Sequence, residues 1–130
     1  MKRLFAILSL ILILIGICIF EELFLKGFVN NFTAKAESLS TLIQQSENTK
    51  TDANITNSYN TLKNDWHNAK ITLCFFTNYE KIKSMDESFI KLESALNNND
   101  KNLANENIAI ICNYEQFLNY MMGFNLNNLF

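Results

Sequence analysis

Apolar residues recur at helical spacing along most of the chain. Ile55, Tyr59, Leu62, Trp66, Ala69, Leu73 and Phe76 follow one another in alternating steps of four and three, which lines them up on one face of a helix. A strand would need alternation by two. The same rhythm returns at Ile82, Met85, Phe89, Leu92 and Leu96, and again at Leu103, Asn107, Ile110, Tyr114, Phe117 and Met121. Upstream, Phe24, Phe28, Phe32, Leu39, Leu42 and Ile43 also keep helical spacing. The pattern predicts an all-α fold, in which an N-terminal transmembrane helix continues into an up-down bundle of three to four helices with coiled-coil-like seams. Tyr59, Leu62, Trp66, Leu73, Phe89, Leu92, Tyr114 and Phe117 are expected in its core.

Polar stretches place the turns. "SENTKTD" at 46–52 and "NNND" at 97–100 separate the apolar stripes, and Asp52 and Asp100 stand where N-caps belong. Between the second and third stripes, "TNYE" at 77–80 has the form of a capping box, with "SMDE" at 84–87 a competing frame. Proline is absent, and only Gly27 and Gly123 lie beyond residue 20, so long helices meet no strong breaker. Gly27 is the expected kink between the two parts of the first helix. "ESLSTL" at 37–42 weakly echoes "ESFIKL" at 87–92, as two helical hairpins of common origin would.

The N-terminus changes the picture from a soluble bundle to a membrane protein. Residues 4–20, "LFAILSLILILIGICIF", carry no charge, and thirteen of the seventeen are Leu, Ile or Phe. At about 0.3 to 0.6 kcal/mol each, these side chains favour insertion by on the order of 5 kcal/mol. As a helix the run spans about 25 Å, slightly less than the roughly 30 Å hydrocarbon core. Snorkelling of Lys2 and Arg3 and local thinning can absorb the deficit. "FEELFLKGF" offers no small-x-small cleavage site, and Ile17 before Cys18 is too large for a lipobox. An uncleaved anchor over residues 1–22 is therefore expected. With Lys2 and Arg3 held in the cytoplasm, residues 23–130 form an extracytoplasmic helical bundle on a single-pass cell-membrane protein.

Beyond residue 20 there are nine Lys and Arg against thirteen Asp and Glu, interspersed. A net charge near −4 gives nothing to attract nucleic acid. Asparagine, at twenty residues, reads as a compositional bias of the source genome, and the sequons at Asn31 and Asn54 as chance.

The chain resembles domain-of-unknown-function family 4363, small bacterial proteins, mostly from Firmicutes, with an N-terminal membrane segment and a helical region. The marks are Trp66 followed by Lys70, "FFTNYEKI" at 75–82, Ser88 to Leu92, the Asp100 turn and the terminal "NLNNLF". In that family the stretch before the third helix often holds a histidine with acidic neighbours. Here Tyr79 takes that position, near Lys81 and Lys83, which puts any site shared by the family at that turn in doubt. The resemblance implies a membrane-anchored protein without implying a chemistry.

The residues themselves offer little more. "DWHNAKI" at 65–71 contains the chain's one tryptophan and one histidine. On a helix, Asp65 and His67 point about 200° apart and cannot pair within it. Zinc would need three or four ligands, and there is no C-x-x-C, no H-E-x-x-H and a single histidine, so no metal or cofactor is expected. Asp86 and Glu87 are adjacent rather than facing, and read as a solvated helix start. Cys74 and Cys112 fall about 32 Å and 18 Å down parallel helices, too far apart for a disulfide, and are expected as free thiols. The apolar side chains of "MMGFNLNNLF" either close the base of the bundle or, as Phe124, Leu126, Leu129 and Phe130, form an interaction surface at the bilayer.

The expectation is a non-enzymatic accessory or scaffold subunit, acting through protein contacts at the outer face of the membrane. It would be held in lipid by residues 4–20, beside a membrane-protein partner or as a homo-oligomer. The alternative is an extracytoplasmic sensor or small-ligand-binding module. A membrane-bound enzyme would need a buried polar cluster, for which Asn107 is the nearest candidate, although one buried amide more often sets helix register.

Overall fold

A computed structural model describes residues 1–75 and 77–127, with side chains described through Tyr114 and at Gln116, Glu115 excepted. Four helices follow in order: α1 (Lys2–Gln45), α2 (Ala53–Leu73), α3 (Tyr79–Asn97) and α4 (Lys101–Asn127), with no strand among the described residues. Each helix packs against its neighbours in sequence, and α4 closes the bundle against α1. Short turns between long helices make this an up-down-up-down arrangement.

The first helix has two surfaces. Along residues 4–20 the large apolar side chains are exposed all round, Leu4, Ile11 and Phe20 among them. From Leu25 the burial becomes one-sided: Leu25, Val29, Phe32, Ala36, Leu39 and Ile43 face the bundle at steps of four and three. The change happens without interruption, since α1 is helical through Gly27, and a Cβ there would meet nothing within 4 Å. No close packing therefore demands that glycine.

On α2 the buried set is Ile55, Tyr59, Leu62, Trp66, Ala69 and Leu73. On α3 it is Ile82, Met85, Phe89, Leu92 and Leu96, widened by Ser88 and Ala95. The phases of the outer two helices differ from those expected. In α1, Phe24, Phe28 and Leu42 lie only at the margin of the core, which is filled instead by Leu25, Val29 and Ala36. In α4, Leu103 and Ile110 are exposed at 36% and 45%, while Ala104, Asn107, Ile108, Ile111 and Tyr114 are buried. Both helices carry two overlapping apolar frames; Phe32, Leu39, Ile43, Asn107 and Tyr114 of the expected stripes are buried, and the rest of the core side is taken by the neighbouring frame. Phe76 and the side chains of Phe117 and Met121 lie outside the described residues.

One ring from each helix meets near the middle of the bundle. Trp66 lies 6.2 Å from Phe32 and 6.2 Å from Phe89, and meets Tyr114 edge-on at 5.5 Å, all between ring centroids. Phe32 and Phe89 also meet edge-on, at 6.4 Å. These contacts cross both diagonals of the bundle, so this layer couples helices whose backbones do not touch.

At the end remote from residues 4–20, the two long-range turns are bonded to each other. The end of α3 is a Schellman motif: Asp100 N–H donates to Ala95 C=O (2.9 Å), Asn99 N–H to Leu96 C=O (3.3 Å), and Asn99 sits in the left-handed region at φ 53°. Its side-chain oxygen accepts from the backbone N–H of Thr49 (2.8 Å), in the turn between α1 and α2. Thr49 is almost fully buried there, its hydroxyl 3.1 Å from both Leu96 C=O and the Asn99 side chain. Asp52 and Asp100 cap α2 and α4 through their carboxylates. Replacing Asn99 by Ala keeps an unfavourable φ and loses the Thr49 bonds, whereas Gly loses only the bonds. Denaturant titration of the full chain in mild detergent is expected to show Asn99→Ala less stable by about 2 kcal/mol and Asn99→Gly by about 1 kcal/mol.

Candidate functional site

The heptapeptide at 65–71 sits on the middle of α2, and its polar residues diverge. Asp65 forms an ion pair with Lys35 of α1. His67 is exposed and makes no polar contact among the described residues. Trp66 is 3% exposed, and its indole Nε1–H donates to Asp86 Oδ1 of α3 at 2.8 Å. Lys70, one turn further on, donates to the other oxygen of the same carboxylate. Asp86 is thus a half-buried acceptor for two side chains of α2, rather than the solvated helix start expected from its neighbour Glu87.

Seven residues earlier the same arrangement is repeated. The Tyr59 hydroxyl donates to Phe89 C=O (3.1 Å) and reaches Glu93 Oε2 (3.3 Å), while Lys63 Nζ donates to that same oxygen at 2.9 Å. Lys63 also lies over the Tyr59 ring, 5.5 Å from its centroid. In each case an aromatic residue and the lysine four positions later clasp one carboxylate of α3. These clasps bridge α2 and α3, the adjacent helices whose backbones approach least closely. The wide rings fill that gap, and the carboxylates satisfy the polar tips that burial would otherwise strand. The signal was present in the sequence as Tyr59/Lys63 and Trp66/Lys70, two pairs at heptad spacing; their partners Asp86 and Glu93 could not be found without the antiparallel register of α2 and α3.

Electrostatics follow from this geometry. The hydrogen bond from Lys63 holds the Glu93 carboxyl below its usual range. Burial, then the negative charge of Glu93, pushes the Tyr59 hydroxyl well above the ordinary tyrosine value. Burial also raises Tyr114. It raises the half-buried thiol of Cys112 too, and Cys18, Cys74 and Cys112 are all free.

The second turn corrects another expectation. Thr77 does not begin a capping box; its N–H and hydroxyl both bond back to Leu73 C=O. Asn78 is the N-cap of α3, accepting from Glu80 N–H at 2.9 Å. Tyr79, at the position where the family resemblance suggested a histidine, is 73% exposed. Asn107 is buried, and its amide donates to Leu103 C=O of its own helix at 2.9 Å. Among the described residues no three His, Cys, Asp or Glu side chains converge as a metal site would require. Phe124, Leu126, Leu129 and Phe130 lie outside the described side chains.

A groove of about 220 Å³ opens between α1 and α2. Phe24, Phe28, Phe32 and Ala69 form its apolar wall, and Asn31, Asp65 and Asn68 its polar rim. The three phenylalanines continue a stacked ladder that starts at Phe20, with successive centroids 6.1, 6.2 and 5.1 Å apart.

Fold and sites together define a helical bundle carried on a long apolar N-terminal helix, its conspicuous side-chain constellations joining helices to one another. A family model described as a domain of unknown function (DUF4363) matches residues 21–129, and the chain belongs to that family. The match begins directly after the apolar run. No curated protein and no solved structure matches the chain.

Two outcomes follow. Trp66→Ala removes the ring that meets all three other helices and leaves Asp86 short of a donor, so it is expected to cost about 3 to 5 kcal/mol. His67→Ala should stay within about 0.5 kcal/mol of the wild type; melting of both variants in detergent checks the ranking. For pH, the raised Tyr59 value means that its contribution is complete below pH 10 and declines as pH rises above it, because the unfolded chain ionises first. Glu93 acts with the opposite sign: its contribution is present above pH 4.5 and is lost as pH falls through its lowered folded value. Tyr59→Phe should flatten the alkaline limb of a stability–pH profile, and Glu93→Gln the acid limb.

Proposed function

We propose that this chain is a single-pass membrane protein whose bundle, residues 23–130, lies outside the cytoplasm and serves as a non-enzymatic accessory or scaffold subunit through protein contacts. The observation that carries the membrane part is the surface of residues 4–20: apolar on every side, in a helix long enough to cross a bilayer, and covered by no other element among the described residues. In water that surface would be unfavourable; in lipid it is matched. Lys2 and Arg3 orient the span with its N-terminus inside. The scaffold reading draws on what the charged side chains already do. Asp65, Asp86 and Glu93 are engaged by Lys35, Lys70 and Lys63, in pairs that hold helices together.

A second reading, binding of a small ligand, is favoured by the groove between α1 and α2. At about 220 Å³ it is smaller than a drug-sized site and suits a compact, partly aromatic molecule with a polar end. A ligand-dependent rise in melting temperature would support this reading. A membrane protein that stays with the chain through mild-detergent purification, and is crosslinked to it in the native membrane, would support the scaffold.

Topology is tested with Lys50→Cys, on the exposed turn between α1 and α2, in a background where Cys18, Cys74 and Cys112 are serine. A membrane-impermeant maleimide is expected to label this cysteine in intact cells, and carbonate washing should leave the chain in the membrane fraction. Labelling only after permeabilisation would place the bundle inside and overturn the proposed orientation.

A further inference from the structure

The membrane-proximal end of the bundle exposes apolar side chains for which the packing gives no reason. Phe75 is 82% exposed, Tyr79 73% and Ile71 72%, all at the α2–α3 turn, and Leu23 of α1 is 68% exposed. Elsewhere in the bundle, the exposed large apolar residues described are single ones such as Ile90, Leu103 and Ile110. Isolated exposure of that kind needs no explanation, whereas a cluster does.

The antiparallel register of α1 and α2 gives the height of this cluster. Phe32 and Trp66 lie side by side. Nine residues on from Trp66 is Phe75, and nine residues back from Phe32 is Leu23, each displaced by about 13 Å toward the apolar run. That run ends at Phe20, about 4.5 Å further along α1. The headgroup region of one leaflet is about 5 to 7 Å thick. Phe75 and Leu23 therefore stand level with the headgroups whenever residues 4–20 fill the hydrocarbon core. Tyrosine and other amphipathic aromatic rings favour that depth.

We propose that the α2–α3 turn is a second membrane contact, with Ile71, Phe75 and Tyr79 seated in the interfacial layer of the same leaflet that α1 leaves. This inference rests on the membrane reading given above. The occupant of the patch is lipid because the span fixes what lies at this height, and the contact is apolar, so zwitterionic lipid suffices. Two attachments, one through α1 and one through the turn, set the orientation of the bundle. The turns holding Thr49 and Asn99 then project away from the bilayer by about the length of α2, roughly 32 Å.

The test uses the full chain in phosphatidylcholine vesicles and a nitroxide on native Cys74, which is exposed beside Phe75, with Cys18 and Cys112 replaced by serine. Reference labels at Leu12→Cys and Lys50→Cys, in a background free of native cysteines, mark the span and the distal turn. Collision with oxygen, which concentrates in lipid, and with a water-soluble nickel chelate, which does not, reports depth. The Cys74 label is expected to lie between the two references. The combined change Ile71→Ser, Phe75→Ser and Tyr79→Ser should raise its exposure to nickel while the label at 12 stays buried and helicity is unchanged. If the Cys74 label is as accessible to nickel as the label at 50 while position 12 is in lipid, the second contact is absent and the anchor stands. If the triple change leaves its depth unaltered, these side chains are not the contact. If position 12 is itself aqueous, the anchor fails and this proposal fails with it.

Discussion

A single helix changes from an all-round apolar surface to a one-sided heptad between Phe20 and Leu25, and both of its neighbours in the bundle, α2 and α4, pack on that one-sided part. The change requires no break. Along residues 4–20 the chain presents Leu, Ile and Phe on every side, whereas from Leu25 to Ile43 only one stripe is buried. α1 is helical from Lys2 to Gln45, about 66 Å, so the apolar part and the buried stripe belong to one unbroken helix. A hinge at Gly27 would uncouple the two.

Around that axis the helices are joined by two kinds of contact. The ring layer of Phe32, Trp66, Phe89 and Tyr114 supplies apolar area and reaches across both diagonals. The two clasps at Asp86 and Glu93 do something different. Their ion pairs are partly exposed, and such pairs contribute little by themselves, about 0.2 to 1 kcal/mol. Their contribution is to register: a slip of α3 by one heptad that set Tyr79 against Trp66 would leave the buried indole N–H without a carboxylate acceptor. Stability comes from the rings, and alignment from the carboxylates.

The stripes of α2 and α3 could be read directly because each of those helices carries only one apolar frame. Ile55 to Leu73 and Ile82 to Leu96 are separated mostly by polar residues, which stay at the surface apart from Ser88. The outer helices were less legible. "LANENIAII" in α4 offers Leu103 and Ile110 in one frame and Ala104, Ile108 and Ile111 in another, and a sequence ranks the larger residues first. Isoleucine occurs in both frames, so only the packing of the neighbouring helices decides between them. Asp52 and Asp100 were legible as caps, since each acts within its own turn. Asn99 was not, because its role joins two turns 50 residues apart. Asp86 was misread for the same reason: the indole and ammonium that hold it come from another helix.

Family membership adds relatives without adding chemistry, so the reading of this protein rests on α1 being both span and bundle helix. Distance measurement by electron spin resonance between nitroxides at Leu12→Cys and Ser38→Cys, in the full chain with Cys18, Cys74 and Cys112 replaced by serine and in lipid vesicles, tests this most directly. A continuous helix gives one narrow distribution centred near about 39 Å. A broad or markedly shorter distribution would show that the helix bends or melts near Gly27, and that the bundle is tethered to the apolar segment rather than built on it.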